Sequence, residues 1–240
     1  MYKSQQLALK YFAAAMVLFG LMVIFGLLSA THYVQMGFLF NKLDFSIAKI
    51  VQTDTMILWL LLGFMGAIYW FLPGELNRET EGIKLAEIMF YILCTAIVIV
   101  ALVFIFVQYG GANKFSMWFI NQGRKYVEAP RWAAIGIVLV LAVFCYNVIA
   151  TTIKAKKVTG IMGVLIVDLV PLFALYFIAF PAITNMSVDL FWWWWLVHLW
   201  VEGTWEVLIG CIMALSLMQL LGTERRIVEM WLYIEVALVL

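Results

Sequence analysis

Residues 191–210 read FWWWWLVHLWVEGTWEVLIG. The stretch holds six tryptophans, one histidine and two glutamates in an otherwise apolar run. A largely apolar run of that length reads as a membrane-crossing helix, because about 20 apolar residues at about 1.5 Å rise cover the hydrocarbon layer. His198, Glu202 and Glu206 follow one another at four-residue spacing. On an α-helix residues four apart lie on one face. The spacing therefore predicts one polar stripe, turned to a bundle interior and away from lipid.

The rest of the chain repeats the pattern. Of its 240 residues 66% are hydrophobic and 12% charged, with mean hydropathy +1.04. Soluble domains carry roughly twice that charge fraction. The apolar residues come in blocks of membrane-spanning length joined by short charged connectors. An all-α, polytopic transmembrane bundle is expected. The alternating ten-residue segments of a β-barrel are not seen. Spans are placed near 11–31, 50–72, 88–109, 132–153, 158–183 and 189–221, all within one membrane domain, 1–240. A seventh begins near Ile227 and has 14 residues to Leu240, short of the roughly 20 that a span needs. Further chain or another subunit is expected to complete it.

Nine of the 15 Lys and Arg fall on the side of the N-terminus, among them Lys154, Lys156, Lys157, Arg225 and Arg226. Six fall on the other side. The positive-inside rule then places the N-terminus in the cytoplasm. The net charge of +1 offers no bulk attraction for nucleic acid. The three cysteines, Cys94, Cys145 and Cys211, lie in hydrophobic blocks without metal-type spacing and read as packing residues. The loop at 111–131 is basic and too long for a minimal connector. Its cations suit either an anionic ligand or plain solvation.

Ionisable groups inside a membrane are costly and mark functional sites by default. Besides the stripe they are Asp54, Asp168 and Glu235, to which no roles are assigned from the sequence. An imidazole and a carboxylate at i and i+4 can ligate one metal ion, a mix that suits non-heme iron. The third acid would serve as a neighbour or a proton relay. The competing reading is a hydrogen-bonded cluster without metal. Trp192 to Trp195 read mainly as an aromatic belt with some inward packing. His32 is expected in solvent at the end of the first span.

WWWWLVHLWVEGTWEVLIG (192–210) resembles the large subunit of bacterial cytochrome c-dependent nitric oxide reductase, in the heme-copper oxidase superfamily. VQTDTMILWLLLGFMGAIYWFLP (51–73) is similar to that family's second span, GRKYVEAP (123–130) to an outer loop and RRIVEMWLY (225–233) to the start of its seventh span. The family's large subunit has twelve spans, so the resemblance covers its N-terminal half. It implies reduction of two NO to N2O in the bacterial inner membrane, at a high-spin heme b paired with non-heme iron. It also implies a low-spin heme b and a cytochrome c-type small subunit as partner, with the remaining half of the large subunit or a complementing chain. His198 would be one of three histidines on the iron, Glu202 a ligand or close neighbour, and Glu206 an acid that tunes the site or passes protons. Glu128 would match an acid on a proton route from the outer side, and Arg124 would lie near the heme propionates.

Two positions depart from the family. Gln52 stands where an axial histidine holds the low-spin heme, and an amide is a poor heme ligand. Lys125 replaces a glutamate associated with calcium, so no calcium is expected at that point. A non-catalytic scaffold that kept the fold, and a proton conduit built on Glu206, Glu202 and Asp168, are the alternatives.

Overall fold

The computed structural model describes residues 1–39, 42–106, 128–179 and 183–239. Every regular element among them is helical. In chain order these are α1 (Lys3–Val34), α2 (Phe45–Leu76), α3 (Ile83–Phe106), α4 (Arg131–Ala155), α5 (Gly160–Ile178), α6 (Met186–Leu221) and α7 (Arg225–Val239). The first six are long and apolar enough to cross a bilayer. They coincide with the six predicted spans, and most run on past the apolar blocks. The predicted ends at 107–109 and 180–182 lie outside the described residues.

Helices are the outcome because a segment in hydrocarbon must satisfy its own backbone groups. Hydroxyls join in: Thr53 donates to Lys49 O at 2.9 Å, Thr152 to Val148 O at 2.9 Å and Ser216 to Ile212 O at 2.7 Å. Each thereby hides a polar group along its own helix. The ends are capped by chemistry visible in the sequence. Thr159 and Asn185 accept from the N–H groups of Met162 and Val188 at the starts of α5 and α6, as N-cap residues do. Gly222, at φ 68°, ends α6 in the left-handed conformation, which glycine adopts without a Cβ penalty.

α6 is not uniform. It is α-helical over Met186–Trp200, makes a π turn over Val201–Trp205, and is α-helical again over Glu206–Leu221.

The described residues gather in two compact units. The first comprises Met1–Ala8, Ala67–Ala86 and Leu141–Leu240, and the second Leu9–Gly66 and Glu87–Val140. In the first unit Tyr69, Leu72, Phe144, Ile161, Leu165, Leu208 and Leu215 are fully buried. A polar knot runs through it. Tyr69 OH donates to Asn147 Oδ1 at 2.9 Å, and Asn147 Nδ2 donates to Glu81 O at 2.6 Å. Gly82, at φ +70°, lets that turn press close: a Cβ there would lie 2.7 Å from Asn147 Nδ2. Where α2 ends and α7 begins, Arg225 donates to Glu75 at 2.8 Å and pairs with Glu229 at 3.3 Å. Lys157 donates to the Glu75 carbonyl at 2.6 Å.

In the second unit Tyr11, Leu62, Met65, Phe90 and Ala134 form the core, and Lys10 pairs with Glu87 at 2.6 Å. His32 is not the solvated residue expected. Its Nδ1 lies 2.7 Å from Leu28 O and its Nε2 3.2 Å from Leu43 O. The ring packs edge-on against Phe38 and Phe45. The carbonyls of Leu28 and Leu43 and the rings of Phe38 and Phe45 give it partners that solvent would otherwise supply.

Candidate functional site

The π turn decides the geometry of the polar stripe. His198 is in the last turn of the α-helix that precedes it, and Glu202 is its second residue. The two side chains meet, with His198 Nδ1 2.9 Å from Glu202 Oε2. Beyond Glu202 the α-helical count fails. The Glu206 N–H bonds to Val201 O, five residues back. A π turn needs one more residue to return to the same direction, so Glu206 is rotated off the line of the first two. The predicted three-residue stripe is in fact a close pair and an offset acid.

The pair is also more open than expected. The His198 and Glu202 side chains are 42% and 49% exposed, and Glu206 is exposed too. Within the described residues the stripe lies on the surface of the first unit and not in its interior.

The tryptophans divide by role. Trp200 is buried and donates from Nε1 to Leu172 O at 3.1 Å. It also meets Tyr176 and Trp205, with ring centroids 5.5 Å and 4.8 Å away. These rings fasten α6 to α5. Trp194 lies flat on His198, with centroids 5.3 Å apart and planes within 9°. That contact is not anticipated in the sequence reading, although Trp194 stands four residues before His198 and the i, i+4 rule could have found it.

The other candidates fall in the second unit. Gln52 accepts from Lys49 Nζ at 2.7 Å, and its Cγ lies against Gly26, 3.6 Å from where a Cβ would be. Glu128 is buried and interacts electrostatically with Asp54 of α2. Sequence reasoning does not join these two acids, because 74 residues separate them along the chain. Arg124 and Lys125 lie outside the described residues.

The donor set can be weighed against the groups that the resemblance implies. An imidazole whose Nδ1 lies 2.9 Å from a carboxylate suits one position on a non-heme iron through Nε2, with Glu202 as the close neighbour that orients it. Among the described residues, no group of three or more His, Cys, Asp or Glu comes close enough to hold a metal by itself. The pair thus fits as part of an iron site and not as the whole. Gln52 does not fit as an axial heme ligand. Its amide is weakly basic, and its oxygen already accepts from Lys49.

Six apolar helices of spanning length define a multi-pass helical membrane protein. Residues 6–240 match the family model described as Cytochrome C and Quinol oxidase polypeptide I, and the chain belongs to that family. It is also 39% identical over 241 residues to a nitric oxide reductase subunit of Stutzerimonas stutzeri. The match covers 100% of this chain and 51% of that protein, so the chain spans about half the length of the curated relative it matches. The relative agrees with the resemblance read from residues 192–210.

Proposed function

We propose that the chain is part of a nitric-oxide-reductase-like large subunit, and that the complete complex reduces two NO to N2O. The observation that carries this reading is the His198–Glu202 pair, 2.9 Å apart, in a chain alike along its whole length to a nitric oxide reductase subunit. A non-heme iron beside a high-spin heme b would supply NO binding and electrons when bound. The residues of this chain do the rest. An N–H on His198 Nδ1, donated to Glu202 Oε2, leaves the Nε2 lone pair outward, the tautomer that a metal ligand needs. Trp194 holds the plane of the ring. Glu202 places a carboxylate next to the imidazole and fixes its orientation. Glu206, one turn further along the helix, would pass protons to the site, and Glu128 would be an acid on a proton route from the outer side.

The missing donors would come from the half of the relative that this chain does not match. The open face of α6 is where that half would pack. A cytochrome c-type small subunit would deliver the electrons. The bacterial inner membrane, with the N-terminus in the cytoplasm, is the expected location.

Iron and heme are to be quantified in the native complex. Both are expected, and His198→Ala should lower the iron several-fold while leaving the complex assembled. A native complex with neither cofactor would overturn the reading. It would support the second one, a scaffold relative without heme. The observation on that side is Gln52, whose amide is engaged by Lys49.

A further inference from the structure

Asp168 stands on α5 with only 4% of its surface exposed, and among the described residues its Oδ2 has no hydrogen-bond partner. Two contacts set the register of α5 against α6. Trp200 Nε1 donates to Leu172 O at 3.1 Å, and Cys211 Sγ lies 4.0 Å from Ile161 O. Counting between them puts Asp168 level with the π turn at Val201–Trp205. A second carboxyl reaches α6 from α7. Gly210 leaves an opening there, and Glu235 fills it: a Cβ on Gly210 would lie 2.6 Å from Glu235 Cδ and collide with its carboxylate oxygens. Glu206 is one turn before Gly210 on the same helix, and it interacts electrostatically with Glu235. Cys211, buried beside Gly210, interacts in the same way with both Asp168 and Glu235. Three acids from three helices are thus linked around one stretch of α6. Among the described residues none of the three makes a salt bridge.

We propose that Asp168, Glu235 and Glu206 form a shared proton-binding site around α6, which stores protons inside the membrane and passes them toward the π turn. Like charges repel strongly where the dielectric is low, and among the described residues no cation pairs with them, so protons are the counter-charge at hand. A buried carboxyl oxygen without a partner calls for a proton or a water. Asp168 supplies that position, and its depth matches the turn that carries Glu202. The missing side chain of Gly210 gives Glu235 room to change its hydrogen bonding without moving a helix. Each step breaks an O–H bond at one carboxyl and forms one at the next, with no change of oxidation state. Farther from the π turn on α7, Glu229 and Tyr233 pack at Gly160 and continue the polar line toward Arg225. Delivery of these protons to NO reduction rests on the proposed function; the proton-binding site itself does not.

The test is attenuated-total-reflection infrared spectroscopy of the complete complex during a pH titration in H2O and D2O, with iron and heme measured on the same sample. The wild type should show a titrating, deuterium-sensitive carboxylic C=O band with overlapping components. Asp168→Asn and Glu235→Gln should each remove one component and shift the others. Gly210→Ala keeps all three acids and only displaces the flexible end of Glu235, so it should shift a component without removing one. No titrating band overturns the site, as does loss of components with no shift in the remainder. If Asp168→Asn fails to fold, an unshifted band in Gly210→Ala overturns it. Absence of iron and heme beside a coupled carboxyl band would sink the reductase reading and leave the proton site standing.

Discussion

A histidine in a membrane helix becomes useful only when its ring is held. Here Glu202 takes one side of His198 at 2.9 Å and Trp194 covers its face. The ring is thus fixed in direction by a hydrogen bond and in tilt by stacking. Aromatic pairs contribute roughly 0.5–1.5 kcal/mol beyond the area that they bury. Trp194→Ala is therefore expected to weaken iron retention in the complex by about 2–10-fold, read as iron remaining after dialysis against a chelator. Trp193→Ala, on another face of the same helix, is the control. Equal loss in both would mean that the tryptophans act only as a belt. The pairing of His198 with Glu202 was legible in the sequence, because a four-residue spacing on one helix is a local property. The stacked ring was legible by the same rule, but four consecutive tryptophans hid which of them mattered.

At the scale of the element, the π turn and the helix ends carry the consequences. The π turn shifts Glu206 off the His198–Glu202 line, and four-residue spacing in the sequence does not announce an inserted residue. The N-terminal end of α1 is held differently. Glu79, in the turn between α2 and α3, accepts from the backbone N–H groups of Lys3 and Ser4 at 2.6 Å and 3.1 Å. Burial pushes the Glu79 carboxyl up, but hydrogen bonds from Ser4, Thr80 and Lys3 outweigh it, and it titrates below the ordinary carboxylate range. A carboxyl lowered in the folded state stabilises the fold above its unfolded pKa, and that contribution is lost as pH falls through the folded value. The first turn of α1 is accordingly expected to stay docked at neutral pH and to fray as the pH drops below the ordinary glutamate range. Amide hydrogen exchange at Lys3 and Ser4, corrected for the intrinsic pH dependence, checks this. Glu79→Gln should remove the pH dependence, and protection independent of pH in the wild type would contradict the assignment.

At the scale of the molecule, long-range polar ties join helices far apart in the chain. Glu75 is 3% exposed and is held by Arg225, 150 residues away. Replacing Arg225 by methionine leaves a buried acceptor without its donor, a loss of roughly 1–3 kcal/mol. The half-exposed arginine places the effect toward the lower end. Thermal unfolding in detergent should show it, and the double change with Glu75→Met should recover part of the loss. A single variant as stable as the wild type would show that the tie is idle. The number and order of the spans were determined by the sequence alone, since hydrocarbon solvates any sufficiently apolar segment regardless of its neighbours. So was the His198–Glu202 pair, which one helix brings together by itself. Only the tertiary structure decided that Glu235 lies in the opening at Gly210, that Asp168 stands level with the π turn and that Glu75 meets Arg225. Those contacts depend on how helices are offset along one another, and that offset is set by side-chain packing between segments far apart in the chain.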